Sequence, residues 1–416
     1  MAQTSPIQQP EELRRQARKD WLALCGIQAA FWSVVTMQTS FLVSFLTRNG
    51  YSDTLTATIV FLTSMVNLAA QPMWGYVADA KWDLKRVILC CLGMSIPALV
   101  LMPAAVISVA FTIVLNLMYG FFNQPLQGLT DAITNITATH NSFVTYGFTR
   151  GCGSLAAALS SLFVGRLLDI TGIETLFYLN AGLCALAFVL MLLYRGVSYG
   201  MPGTPRARLA RERITIRQAA RTLIRNPFYV CLVLSSILLN TGNRISNLYV
   251  PIMINQFGGG SSHLGTALFL NCILMAPCMI THSWLIRRGV PNHFPYMAAG
   301  LFGVARVLSM GLAQDLNALI AIQILQSFAY GLMQPSTVQA IAEVSPLKLR
   351  STAISLAIAV QTVLSTLIGN NLGSVLAGIL GEQHTFFVFA GLTGAGVICY
   401  LPLLRRRANA YPEEFE

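Results

Sequence analysis

Residues Tyr119–Leu155 read YGFFNQPLQGLTDAITNITATHNSFVTYGFTRGCGSL. They set one carboxylate, Asp131, and one guanidinium, Arg150, in or just beside two long apolar stretches. An ionisable side chain at membrane depth is costly unless it is paired or faces water, so this pair is the first candidate for a functional site. Asn116, Asn123, Gln127 and Asp131 follow one another at helical spacing, which predicts a polar face along a single long helix. The plainer alternative is that both charges are solvated in the loop joining the two stretches.

Working outward, composition fixes the class. Hydrophobic residues make up 55% of the 416 and charged residues 10%, where a soluble globular chain carries roughly 25% charged. Apolar stretches long enough to cross a ~30 Å hydrocarbon core lie near 21–47, 54–79, 86–105, 109–138, 144–169, 173–195, 227–256, 263–286, 294–312, 316–343, 351–380 and 384–404. The expected fold is all-α: a polytopic membrane protein with twelve transmembrane helices in two pseudo-symmetric six-helix bundles. Its expected parts are an N-terminal tail (1–20), a first bundle (21–195), a basic linker (196–226), a second bundle (227–404) and a C-terminal tail (405–416).

The net charge of +11 is not a nucleic-acid surface, because the basic residues sort by loop. All Lys and Arg except Arg48, Arg150, Arg166, Arg244 and Arg306 fall in the two tails, the linker or every second loop. The positive-inside rule then places both termini in the cytoplasm and the protein in the cytoplasmic, or inner, membrane. The first twenty residues are polar and the apolar run after them exceeds a signal-peptide core, so the first stretch is expected to stay as a span. The nine Cys lie in or at the ends of apolar stretches without metal-ligand spacing, so no metal or cofactor is expected.

Segment one carries a polar stripe of Gln28, Trp32, Thr36 and Thr39. Segment two ends in GYVADAKWDLKR, Gly75–Arg86, where a carboxylate at the membrane surface can meet a helix N-terminus and basic side chains and so latch one conformation. Segment five is rich in Gly, Ala and Ser, which lets helices approach closely. In segment seven Asn240, Asn243, Arg244 and Asn247 stand at i, i+3, i+4 and i+7, and segment ten repeats the device with Gln323, Gln326, Tyr330 and Gln334. With Arg306 in segment nine, these stripes predict a polar cavity. YGFFNQP at Tyr119–Pro125 returns as YGLMQP at Tyr330–Pro335, as an internal repeat of six-span halves requires.

The signature Gly75, Asp79, Lys85 and Arg86 resembles the loop between helices two and three of the major facilitator superfamily, and the whole chain is similar to a carrier of that kind. YGFTRGCG with its small-residue helix, Arg306 and LQSFAYG resemble the branch of lactose permease, nucleoside/proton symporters and phenylpropionate-type permeases. The resemblance implies that Asp131 and Arg150 contact substrate and that Arg306 matches the Arg of helix nine. The chain departs from lactose permease at Gln326 and Ala329, where that permease has its His and Glu, and at Ala157, where it has an aromatic sugar platform.

The expected function is secondary transport of a small organic anion, a carboxylate with an apolar body, by alternating access in the direction of uptake. Three buried arginines against one acid favour an anion that restores neutrality. The candidate substrate-binding residues are Arg150, Asp131, Arg244, Arg306, Asn240, Asn243, Asn247, Gln326, Tyr330, Gln28, Trp32, Asn123 and Gln127. Asp131 is the candidate proton-coupling residue. Partners are then the small-molecule substrate, protons and the lipid bilayer, with no nucleic acid and a monomeric chain. The runner-up is a proton-linked symporter of a neutral sugar or nucleoside, and another class is a non-transporting sensor or lipid-handling protein on the same fold. No nucleophile/base or metal constellation points to an enzyme.

Overall fold

The computed structural model describes residues 11–80, 82–138, 141, 143, 144, 146–196, 221–345 and 350–404. Among these, twelve helical stretches are long and apolar enough to cross a membrane. The helices are α1 (Glu11–Arg48), α2 (Asp53–Ala80), α3 (Leu84–Leu101), α4 (Val109–Asn123), α5 (Leu126–Ala138), α6 (Tyr146–Thr171), α7 (Thr175–Leu193), α8 (Pro227–Gln256), α9 (Ser261–Ile273), α10 (Met275–Arg287), α11 (His293–Leu312), α12 (Leu316–Ile322), α13 (Ile324–Val344), α14 (Arg350–Thr366), α15 (Gly373–Leu380) and α16 (Glu382–Leu404). The all-α, twelve-span expectation is met.

The chain packs as two compact units, Met1–Leu42 with Met65–Glu212, and Val43–Ser64 with Arg213–Glu416. The end of α1 and the start of α2 therefore belong with the second unit. In the first unit, Leu24, Ile27 and Phe31 of α1 pack with Val87, Ile88 and Cys91 of α3, Leu126 of α5 and Met191 of α7. In the second, Tyr229, Leu232 and Leu239 of α8 pack with Tyr296 of α11, Ile341 of α13 and Tyr400 of α16.

Several spans are broken where backbone chemistry demands it. Segment four was expected as one helix, but it divides into α4 and α5 around Gln124 and Pro125. Pro125 has no N–H to give to the carbonyl four residues back, Phe121. That carbonyl is served instead by Trp74, whose Nε1 donates to Phe121 O at 3.1 Å. Segment eight breaks between Ile273 and Met275, four residues before Pro277, and there Ser327 Oγ donates to Leu270 O and Asn271 O at 2.9 and 2.7 Å. The repeat is thus unequal, since Pro125 breaks its span while Pro335 stays inside α13.

Segment eleven holds a π turn, Leu367–Leu372, between α14 and α15. Gly369 seats it against α8: a Cβ there would lie 2.6 Å from Thr241 O and 2.7 Å from Arg244 Cβ. Helix α1 begins at Glu11, within the stretch expected as the N-terminal tail. Asp20 is buried in it and accepts from Gln16 Nε2 at 2.9 Å and from Arg195 N at 3.0 Å.

Candidate substrate site

In the first unit, segments one, four and five place four of the expected residues in one connected arrangement. Gln28, on the buried face of α1, donates through Nε2 to Asp131 Oδ1 of α5 at 3.2 Å and to Thr134 Oγ1 at 3.4 Å. Its Oε1 accepts from Trp32 Nε1 at 3.0 Å, one turn further along α1. The Trp32 ring in turn lies 3.6 Å below the guanidinium carbon of Arg150, and Arg150 Nη1 donates to Ser154 Oγ at 3.2 Å. A cation over an indole face gains from the ring quadrupole, most of all where water is scarce. The close approach of α6 to α1 needs Gly153, where a Cβ would stand 2.8 Å from Trp32 Cδ1 and 3.1 Å from Gln28 O.

In the second unit the centre is Arg306 of α11, 1% exposed. Nη1 donates to Asn243 Oδ1 at 3.1 Å and Gln326 Oε1 at 2.7 Å, and Nη2 to Asn247 Oδ1 at 2.9 Å and Gln323 Oε1 at 2.8 Å. All four partners are neutral amide oxygens, and among the described residues Nε has no partner. Asn243 and Asn247 are one turn apart on α8, so helical spacing aims both at α11. Gln323 stands at the break between α12 and α13, where its Nε2 donates to Leu319 O at 2.9 Å. Beside the cage is a small, partly open pocket lined by Arg306, Asn243 and Gln326 together with Leu239, Ala299, Val307, Ala329, Tyr330 and Met333.

Comparison of the sequence supplies the family: residues 24–390 match the MFS_1 like family. The chain belongs to the MFS_1 like family. It is 28% identical over 365 residues to the maltose permease of Geobacillus stearothermophilus, covering 86% of this chain and 87% of that one. It is 22% identical over 407 residues to the uncharacterized transporter YwbF of Bacillus subtilis (strain 168), covering 95% and 96%. Its fold is that of a crystal structure of a nucleoside transporter NupG variant, with a TM-score of 0.80, 15% identity and coverage of 93% of this chain and 100% of that one. An auto-inhibited POT family peptide transporter shares the fold with a TM-score of 0.73, 13% identity and coverage of 97% and 98%. The chain is thus a multi-pass membrane transporter of the major facilitator type.

The remaining expected residues of this MFS_1 like protein are distributed less simply. Asn123 is fully buried and packed, accepting from Tyr119 Oη at 3.0 Å and donating to Cys184 Sγ at 3.8 Å. Gln127 is exposed. The single face expected from Asn116 to Asp131 is not formed, because the break at Pro125 separates the α4 residues from the α5 residues. The face of segment seven also divides: Asn240 turns back to Ser236 O at 2.9 Å and to Met333 Sδ at 3.9 Å, and Arg244 lies beside the π turn with its Nε buried and unpartnered. Tyr330 lines the cavity. In the loop signature Gly75 is half-buried and Arg86 exposed, while Lys85 Nζ donates to Leu192 O at 3.1 Å and Tyr194 O at 2.5 Å. Those carbonyls end α7, where a cation is favourable. The side chain of Asp79, most of the linker and the C-terminal tail lie outside the described residues.

Sequence reading passed over three features. Ser154 and Thr134, partners of Arg150 and Gln28, look like ordinary small polar residues of a membrane helix. Gln361, Asn370 and Asn371 bury side-chain carbonyls without partners, and the Asn-Asn pair within an apolar run was a visible signal for them. The buried His282 Nε2 meets Asn292 Oδ1 at 3.0 Å, and Asn292 Nδ2 donates to Ser336 O at 2.8 Å, which ties the end of α10 to α13.

Proposed function

We propose that this transporter carries a small organic anion, a carboxylate with an apolar body, by alternating access. The observation that carries the reading is Arg306. Its guanidinium is buried among neutral amides, so its charge is solvated but not neutralised, and an anion that reaches it gains a strong interaction in a low-dielectric setting. A planar fork of donors suits a carboxylate, and the apolar walls beside it suit a hydrocarbon body. Arg150 over Trp32 supplies a second cation with an aromatic face.

A neutral sugar or nucleoside is the second reading. It is favoured by the 28% identity to a maltose permease and by the amide groups around Arg306, which can serve hydroxyls. A thermal-shift series with the purified protein separates the two. A bound ligand at about one hundred times its Kd stabilises by about 2.7 kcal/mol, so aliphatic and aryl monocarboxylates raise the unfolding midpoint under the anion reading. A shift with maltose or uridine and none with carboxylates overturns it.

The rest of the proposal follows from charge placement and the family. The chain is a monomer of the inner membrane with both termini in the cytoplasm, two bundles over 21–195 and 227–404, and a linker over 196–226 on the anionic leaflet. Gly75, Asp79, Lys85 and Arg86 form the conformational latch, and Asp131 takes the coupled proton during uptake. The protein is a carrier, not an enzyme.

A further inference from the structure

We propose that Arg244 and Arg306 form a two-cation site in the second unit, and that the solute it takes is a dicarboxylate whose two charged ends sit on the two guanidinium groups. The inference rests on the anion reading above and narrows it from an organic anion to a doubly charged one. All of its residues belong to the second unit.

Contacts between α8 and α13 fix the level of Arg244. Asn243 of α8 and Gln326 of α13 share Nη1 of Arg306, while three residues earlier on α8 Asn240 donates to Met333 Sδ, seven residues later on α13. The two helices therefore run antiparallel. Arg244 stands one turn beyond Asn240 on the same face of α8, which brings it to the level of Ala329 and Tyr330, both of which line the pocket beside Arg306. The π turn holds its stem in place, since a Cβ on Gly369 would lie 2.7 Å from Arg244 Cβ.

Neither guanidinium is answered by a counter-ion. The Nε atoms of Arg244 and Arg306 are both buried without a hydrogen-bond partner among the described residues, and the Nη atoms of Arg306 reach only neutral amides. The described acids of this unit stand at helix ends: Asp53 opens α2, Asp315 precedes α12, Glu343 lies in the last turn of α13 and Glu382 opens α16. Two buried cations without a partner are costly in a low-dielectric setting. A monocarboxylate relieves one of them, whereas a dicarboxylate relieves both and offers each a planar acceptor that matches its fork of donors.

Charge alone would admit a phosphate monoester, but the placement of the cations favours two separated carboxylates. Arg244 follows Asn243 by one residue, about 100° round α8, so it approaches from a neighbouring face and does not converge with Arg306 on one point. A ligand whose charges are several bonds apart fits that separation, and Leu239, Ala299 and Val307 of the pocket suit the methylene chain between them.

The test is titration calorimetry on the full-length purified protein with the diacids from malonate to adipate, the monomethyl ester of each, and glycerol 3-phosphate. The ester keeps the length and body of its diacid and deletes one charge. In the wild type at least one diacid is expected to bind at least about tenfold more tightly than its own ester. Arg244→Gln is expected to bring that ratio close to one, and Arg244→Lys to restore part of it; a side chain that served packing alone would change stability and leave the ratio where it was. A diacid and ester that bind the wild type equally overturn the inference and leave the anion reading standing. A ratio that survives Arg244→Gln takes Arg244 out of the site and overturns it as well. Glycerol 3-phosphate binding more tightly than every diacid assigns both cations to one phosphate in place of two carboxylates. If no acid, ester or phosphate binds, the anion reading falls together with the inference.

Discussion

Arg306 and Gln323 are parts of one construction. Arg306 Nη2 donates to Gln323 Oε1 at 2.8 Å while Gln323 Nε2 donates to Leu319 O at 2.9 Å, at the point where segment ten breaks between α12 and α13. The side chain that solvates the cation also caps the carbonyl one turn back, so the break and the cage support each other.

Gln323→Glu is the sharpest test of what the uncompensated charge is for. A carboxylate at this position can accept from the same Nη2 and neutralise the guanidinium from within. The variant is expected to fold, to match or exceed the wild-type thermal midpoint without ligand, and to lose at least about tenfold in anion affinity, roughly 1.4 kcal/mol. Titration calorimetry with a carboxylate that binds the wild type checks this. Unchanged affinity means that the charge of Arg306 does not attract the substrate.

The contrast between segments seven and four marks how far the sequence could be read. Asn243 and Asn247 fall on the expected face because α8 is unbroken over that turn, so spacing alone carries the geometry. Asn123 and Asp131 do not share a face, because spacing rules hold only along one helix and Pro125 ends it. The partnership of Gln28 with Asp131 spans 103 residues of chain and depends on how α1 packs on α5, which no local pattern encodes. The π turn at Leu367–Leu372 is likewise a tertiary matter, since Gly369 is pressed against the α8 backbone. Twelve spans were legible because length and hydropathy are local properties; the wiring between them was not.

Trp32 has two separable roles, and two substitutions divide them. Trp32→Phe keeps an aromatic face below Arg150 and removes the Nε1 donor to Gln28 Oε1, whereas Trp32→Ala removes both. A cation–π contact contributes about 0.5–2 kcal/mol, so the Ala variant is expected to bind substrate about 2- to 30-fold more weakly than the Phe variant. Equal affinities for Phe and Ala deny the stacking any part in binding.

Trp74→Phe probes the break in segment four. It deletes the Trp74 Nε1 donor that serves Phe121 O across helices while keeping an aromatic body against Phe121 and Phe122. A buried carbonyl left unsatisfied costs about 1–3 kcal/mol, so the thermal midpoint is expected to fall with little change in substrate affinity. A second substitution, Pro125→Ala, restores an N–H for that carbonyl and is expected to recover part of the loss. If Trp74→Phe leaves the midpoint where it was, the Trp74 hydrogen bond does not stabilise the break.

Asp131 is the acid that the polar chain of the first unit reaches, through Gln28 and Trp32 to Arg150. A substrate carboxylate arriving at Arg150 adds negative charge near Asp131, and like charges favour protonation of one of them. Under the proposed anion transport, proton uptake by Asp131 is expected to accompany anion binding, so that the two move together. Uptake into proteoliposomes is expected to be concentrative when an inward proton gradient is imposed on the wild type. In Asp131→Asn, counterflow exchange of labelled substrate persists while gradient-driven accumulation is lost, because the neutral amide keeps the hydrogen bond to Gln28 but takes no proton. Accumulation that survives in the Asn variant moves the coupling site elsewhere. A wild type that does not respond to the gradient is a facilitator or an exchanger.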